Sequence, residues 1–188
     1  MNEFIREEIA SHIALAQEVL TELEPAISEA CNMAADSIQS GHKILLFGNG
    51  GSAADAQHIA TELSGRFRRE RRGLPAIALT TDSSALTAIS NDYGFEQVFA
   101  RQVEALAQPG DLCIGISTSG NSPNVLAAMQ KAAEIGCQRL GMTGASGGKL
   151  KEQSDLCLCI PSGNTARIQE MHILIGHLIC EAVERKSV

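Results

Sequence analysis

Leu112-Cys113-Ile114-Gly115-Ile116-Ser117-Thr118-Ser119-Gly120-Asn121-Ser122 is the stretch that decides the fold class. An apolar, strand-like run passes directly into six small polar residues, and a helix-like segment follows at 122–135. The arrangement has an earlier copy: Ile44-Leu45-Leu46-Phe47 leads into Gly48-Asn49-Gly50-Gly51-Ser52 and then into a helix-like 52–64. A strand that turns through glycines and hydroxyls into a helix builds an anion site. The first N–H groups of a helix are unpaired, the helix dipole favours negative charge there, and Ser/Thr hydroxyls add donors. Ser117, Thr118, Ser119 and Ser122 supply the hydroxyls, and Gly120 lets a ligand approach the backbone. Two such loops predict a phosphorylated small molecule. The first loop lacks the dinucleotide-binding glycine spacing and neither carries a Walker lysine, which disfavours bulk nucleotide chemistry.

Outward from these loops the chain alternates. Strands are predicted at 43–47, 75–79, 111–116, 138–142 and 156–160, and helices at 52–64, 83–89, 122–135, near 147–153, and 165–185. Short apolar runs between helices indicate a parallel sheet covered on both faces, with right-handed crossovers. Both hydroxyl-rich loops then fall at the carboxyl edge of the sheet, where open α/β sheets bind ligands. Residues 3–40 read as two helices with a break near Pro25, closed by Gly41. The first has an apolar stripe of Ile5, Ile9, Ile13, Ala16 and Leu20, surplus to what a small α/β core needs, so oligomerisation is expected. One domain over 1–188 is expected, with 1–40 as a helical extension.

Composition narrows the function. The 188 residues are 44% hydrophobic and 20% charged, which excludes a disordered chain. A net charge of −7 argues against general nucleic-acid binding, which rests on clustered Lys and Arg. Cys113, Cys157 and Cys159 lie in strand-like runs and read as small hydrophobes of a reducing compartment. Neither a signal peptide nor a membrane span is expected, and the cytoplasm is the expected location.

Chemistry-bearing residues cluster on two helices. In Asp55-Ala56-Gln57-His58-Ile59-Ala60-Thr61-Glu62, His58 and Glu62 are four apart and share a face, as two metal ligands, a base and its partner, or an ordinary exposed pair do. The helix's start at a phosphate-type loop favours a functional pair. Arg66 is expected to continue that face, whereas Arg68, Arg69, Arg71 and Arg72 read as a solvated turn. On the last helix Glu170 and His177 nearly superimpose, Gln169 lies within about 80° of His177, and His172 and His177 are about 140° apart. One of those two histidines is therefore functional and the other structural. Asn91-Asp92-Tyr93-Gly94 reads as a loop whose polar groups cap or turn the chain, or else bind sugar hydroxyls.

Taken together, the stretches 48–52, His58 to Glu62 and Arg66, Asn91-Asp92, Ser117 to Ser122, and Arg167-Ile168-Gln169-Glu170 with His177 resemble the sugar isomerase (SIS) domain proteins, and within them the bacterial phosphoheptose isomerases. The resemblance implies a three-layer α/β/α sandwich with a five-stranded parallel sheet and N-terminal helices. It implies a homotetramer with active sites between subunits, isomerising sedoheptulose 7-phosphate to D-glycero-D-manno-heptose 7-phosphate for lipopolysaccharide heptose. By matched position, Glu62 and His177 become the acid/base pair. Asn49, Gly50, Gly51, Glu62, Asn91, Asp92, Ser117, Thr118, Ser119, Ser122 and Gln169 become substrate contacts. His58, Glu62, Gln169 and His177 become zinc ligands, with one zinc per subunit. Two stretches depart from some relatives: Ser52-Ala53-Ala54-Asp55 where those carry His and Cys, and Ala166 where those carry an acid.

Ketose–aldose interconversion moves a proton between adjacent carbons through an enediol, work that a carboxylate and an imidazole can share. The competing reading is a non-enzymatic SIS tetramer that binds the bacterial replication initiator. Such proteins share the Arg167-to-His172 stretch, but have no need to keep both Glu62 and His177.

Overall fold

The structure is a computed structural model that describes residues 2–187. In chain order it runs α1 (Asn2–Gln39), β1 (Ile44–Gly48), α2 (Gly51–Ser64), β2 (Ala76–Ala78), α3 (Ser83–Tyr93), a 3-10 turn (Phe95–Gln97) and α4 (Ala100–Leu106). It continues with β3 (Leu112–Ile116), α5 (Pro123–Ile135), β4 (Gln138–Gly144), α6 (Gly148–Glu152), β5 (Leu156–Ile160) and α7 (Thr165–Ser187). The strands form one parallel sheet in the order β2-β1-β3-β4-β5. The five-stranded α/β/α sandwich is as expected.

Alternate residues of the central strands serve opposite faces, as strand geometry requires. Ile44, Leu46, Leu112, Ile114 and Ile116 pack with α1, α2 and α7. Leu45, Phe47 and Cys113 pack with α4, α5 and Leu150 of α6. Phe47 stacks on Phe99 at 5.7 Å. After β1 the chain moves outward to β2, and after β3 it moves the other way to β4. The crevice between the carboxyl ends of β1 and β3 is thus the switch point of the sheet, and both hydroxyl-rich loops open on it.

Two local expectations are corrected. The first 40 residues hold one continuous helix, not two: Pro25 lies inside α1. Pro25 and Thr21 face solvent, so the Thr21 carbonyl left without an amide partner meets water, while Leu15, Val19, Ala30, Ala34 and Ile38 are buried on both sides of the proline. Tertiary packing overrides the local breaker. Asn91, Asp92 and Tyr93 are the last turn of α3 rather than a loop. Asp82 caps that helix by accepting from Ala85 N at 3.0 Å, and the chain leaves it only at Gly94. The sequence reading assigned nothing regular to 95–106, where the 3-10 turn and α4 bury Val98, Phe99 and Val103.

The six cysteines are free thiols, Cys113 among the buried ones. No helix among the described residues is long and apolar enough to cross a membrane.

Candidate functional site: a hydroxyl cleft and a carboxylate–imidazole cluster

Asn49, Gly50, Gly51, Ser52, Ser117, Thr118, Ser122, Thr165 and Gln169 line a cleft of about 280 Å³ at the switch point. A neighbouring cavity of about 430 Å³ shares Thr118 and Thr165 and adds Ser119, Ser146 and Ser162. Within the loop the Ser117 hydroxyl is 2.8 Å from that of Ser122 and 3.4 Å from that of Ser119. Ser122 precedes Pro123 at the start of α5 without capping it, so its hydroxyl serves the loop instead. The two loops are tied together by a reciprocal amide pair. Asn49 Nδ2 donates to Asn124 Oδ1 and Asn124 Nδ2 donates to Asn49 Oδ1, both at 2.9 Å. A Cβ at Gly51 would overlap the Gln169 amide, which closes over the first loop, so a larger residue there would have to push that side chain aside.

The second grouping lies between α2 and α7. His58 Nε2 is 3.2 Å from Glu62 Oε1 and 3.3 Å from His177 Nε2. The ligand atoms of His58, Glu62 and His177 all fall within 4.8 Å of one another, the one such metal-competent group among the described residues. Two imidazole nitrogens and a carboxylate oxygen are a borderline-soft donor set. Neighbouring ligands bound at 2.0–2.1 Å in tetrahedral geometry lie about 3.3 Å apart, which the His58–Glu62 and His58–His177 spacings match. Phe67 stacks on His177, with centroids 5.4 Å apart and planes at 23°.

The histidine ambiguity on α7 resolves. His172 is fully buried, with Nε2 3.3 Å from the Thr143 carbonyl, and burial pushes its pKa down to about 4 against a smaller upward pull from that contact. It is structural, and His177 belongs to the cluster. Glu170, on the same face as His177 but two turns earlier, meets α1 instead: His12 Nδ1 is 2.7 Å from its carboxylate.

Other expected residues fall elsewhere. Gln169 precedes His177 by eight residues, about 12 Å along the helix, so within one chain it joins the cleft and not the cluster. Asn91 and Asp92 are exposed, with the Asn91 amide donating to the Asp92 carboxylate at 2.8 Å, and they do not line the cleft. Arg66 lies beyond Gly65, which ends α2, and among the described residues its ion-pair partner is Glu70 at 3.7 Å. It does not continue the His58–Glu62 face. Nor is Arg71 solvated: its side chain is 4% exposed and pairs with buried Glu184 at 3.0 Å.

Asp55 and Asn124 had no sequence-level role. Burial pushes the Asp55 carboxyl up to about 6, opposed by the charge of His58, and its Oδ2 is buried without a hydrogen-bond partner. Its place one turn before His58 was visible in the sequence. Asn124, by contrast, is defined by a partner 75 residues away.

Cleft, cluster and sheet topology together define an α/β protein of the sugar-isomerase class: the SIS domain model matches residues 9–144, and the chain belongs to the SIS domain family. Over nearly its whole length it is similar to phosphoheptose isomerases. That of Roseiflexus sp. (strain RS-1) is 58% identical, covering 97% of this chain and 92% of the relative. That of Aliarcobacter butzleri (strain RM4018) is 54% identical, covering 99% and 98%. Among solved structures, the phosphoheptose isomerase from Neisseria gonorrhoeae superposes with a TM-score of 0.93 at 44% identity, covering 98% of each chain. The one from Francisella tularensis superposes with a TM-score of 0.94 at 40% identity, covering 97% of each.

Proposed function

We propose that this protein isomerises sedoheptulose 7-phosphate to D-glycero-D-manno-heptose 7-phosphate, supplying heptose for lipopolysaccharide from within the cytoplasm, where its free thiols stay reduced. The observation that carries the reading is the meeting of Glu62 and His177 on two different helices, 3.2 and 3.3 Å from the shared His58. A carboxylate and an imidazole held together can remove a proton from one carbon and return it to its neighbour through an enediol. General acid/base catalysis of this kind contributes about 10²–10⁴-fold. The hydroxyls of Ser117, Thr118, Ser119 and Ser122, at the N-terminal end of α5, receive the phosphate and orient the sugar. Asn49 and Gln169 are assigned to the sugar hydroxyls in their own cleft, and Asn91 and Asp92, which do not line it, to those in the cleft of another copy. Zinc, held by His58, Glu62 and His177 with Gln169 of a second copy as a further ligand, would polarise the carbonyl and enediol oxygens.

The geometry also supports a site built between copies. Glu62 stands eleven residues into the helix that Gly51 begins, about 16 Å along its axis. A seven-carbon sugar phosphate does not span that length plus the phosphate, so the cleft of one copy works with the cluster of another. The exposed stripe Phe4, Ile5, Ile9 and Ile13 on α1, with Leu174 and Leu178 on α7, supplies the apolar surface such an assembly buries. A homotetramer of one-domain subunits, with 1–40 as its helical assembly element, accommodates this.

The test is incubation of purified protein with sedoheptulose 7-phosphate, with and without added zinc, following aldose formation. Turnover is expected, and its absence under both conditions sinks the reading.

A further inference from the structure

The cluster is split between α2 and α7, so something must fix the distance between those helices. We infer that Arg71 and Glu184 are positioning residues that hold the Glu62 and His177 halves of the site in register, a role that rests on the function proposed above. Glu184 lies seven residues after His177 on α7 and so shares its face. Its carboxylate is fully buried and accepts the N–H groups of Phe67, Arg68 and Arg69 at 2.8, 2.9 and 3.0 Å. The Arg71 guanidinium pairs with it at 3.0 Å.

Both terminal nitrogens of Arg71 also reach the end of α2, while Nη1 donates in addition to the Arg72 carbonyl at 3.0 Å and Nε has no hydrogen-bond partner among the described residues. Nη2 donates to the Glu62 carbonyl at 2.9 Å, and Nη1 donates to the carbonyls of Leu63 and Gly65 at 2.9 and 3.0 Å. The last carbonyls of a helix have no intrahelical partner and carry its negative dipole end, so a cation there is both cap and counter-charge. Arg71 thus grips α2 at the residue that carries the acid/base carboxylate. Glu184 grips the segment whose Phe67 ring lies flat on the His177 imidazole. One buried pair holds Glu62 through the main chain and His177 through a ring.

Stability alone does not call for this arrangement, since replacing a buried ion pair by apolar residues of similar volume is often neutral or favourable. What a guanidinium fork adds is fixed direction to several acceptors at once. Misplacing a catalytic group by about 1 Å can cost about 100-fold in rate.

The test compares Arg71→Lys, which keeps the charge and loses the fork, with Glu184→Gln, which keeps the shape and loses the charge. For both we expect kcat on sedoheptulose 7-phosphate to fall at least tenfold with KM changed less than threefold, because the phosphate loops are untouched. Cobalt(II) affinity should fall about tenfold, and the imidazole ¹⁵N–¹H signals of His58 and His177 should shift while those of His12 and His42 stay. Variants with a lowered melting temperature but unchanged kcat, cobalt affinity and imidazole signals would make the pair merely structural and overturn the inference. If both single variants fail to fold, Arg71→Met with Glu184→Met leaves no unpaired charge and is measured in the same way. Loss of the fold there as well overturns the inference. If the wild-type protein does not turn over the sugar phosphate, the proposed function fails, while the imidazole signals still decide the positioning role.

Discussion

Asn124→Ala tests whether the two loops form one site. Asn124 is 2% exposed, and its amide exchanges two 2.9 Å hydrogen bonds with Asn49 while Oδ1 also accepts Val125 N at 3.0 Å. A net contribution of about 1 kcal/mol per bond sets the loss at about 2–3 kcal/mol, and the Asn49 amide left half-buried without its partner keeps the loss at the upper end. For a chain of this length that lowers the melting temperature by about 8 °C. The same change frees the first loop from the second, so KM for the sugar phosphate should rise severalfold while kcat falls less. Calorimetry and initial-rate kinetics on the one variant read both effects. A melting temperature within about 1 °C of wild type together with an unchanged KM would show that the amide pair neither stabilises the crevice nor couples its loops.

Glu62→Gln and His177→Gln should each lower turnover by at least about 10²-fold while sugar-phosphate binding, measured by calorimetry, stays within a few-fold. Gly51→Ala should displace the Gln169 amide and raise KM, an effect relieved by shortening that side chain in Gly51→Ala/Gln169→Ala. His172 carries a folded pKa of about 4 against an ordinary 6.5, so the unfolded chain binds the proton more readily between those values. Its contribution to stability is complete above about pH 6.5 and is lost as pH falls toward 4, a total of about 3 kcal/mol. Urea unfolding at pH 7.5 and 4.5 should show that loss in wild type and a smaller one in His172→Gln.

Much of this was legible in the sequence, because the informative features were local. Strand–glycine–hydroxyl–helix passages announce themselves within fifteen residues, and alternation of apolar runs with helical stripes is enough for a parallel sheet. His58 and Glu62 were readable as a pair because helical spacing sets their shared face. The illegible parts depend on distant partners. Which of His172 and His177 is buried and which joins the cluster follows from what α7 meets at each turn, Thr143 in one case and His58 in the other. Arg71 sat in an arginine-rich run that resembles a solvated turn, and only Glu184, more than a hundred residues on, reveals it as buried. Pro25 carried a local signal for a break that α1 packing overrode, and Asn91-Asp92 a signal for a loop although α3 continues to Gly94. Asn124 looked like an ordinary first-turn residue.

The central claim is that a proton moves between adjacent carbons under the control of Glu62 and His177. Isomerisation of sedoheptulose 7-phosphate in D₂O, followed by NMR, tests it most directly. The account predicts aldose product carrying solvent deuterium at carbon 2, with both product and label lost in Glu62→Gln. Aldose formed at an undiminished rate in that variant would contradict it.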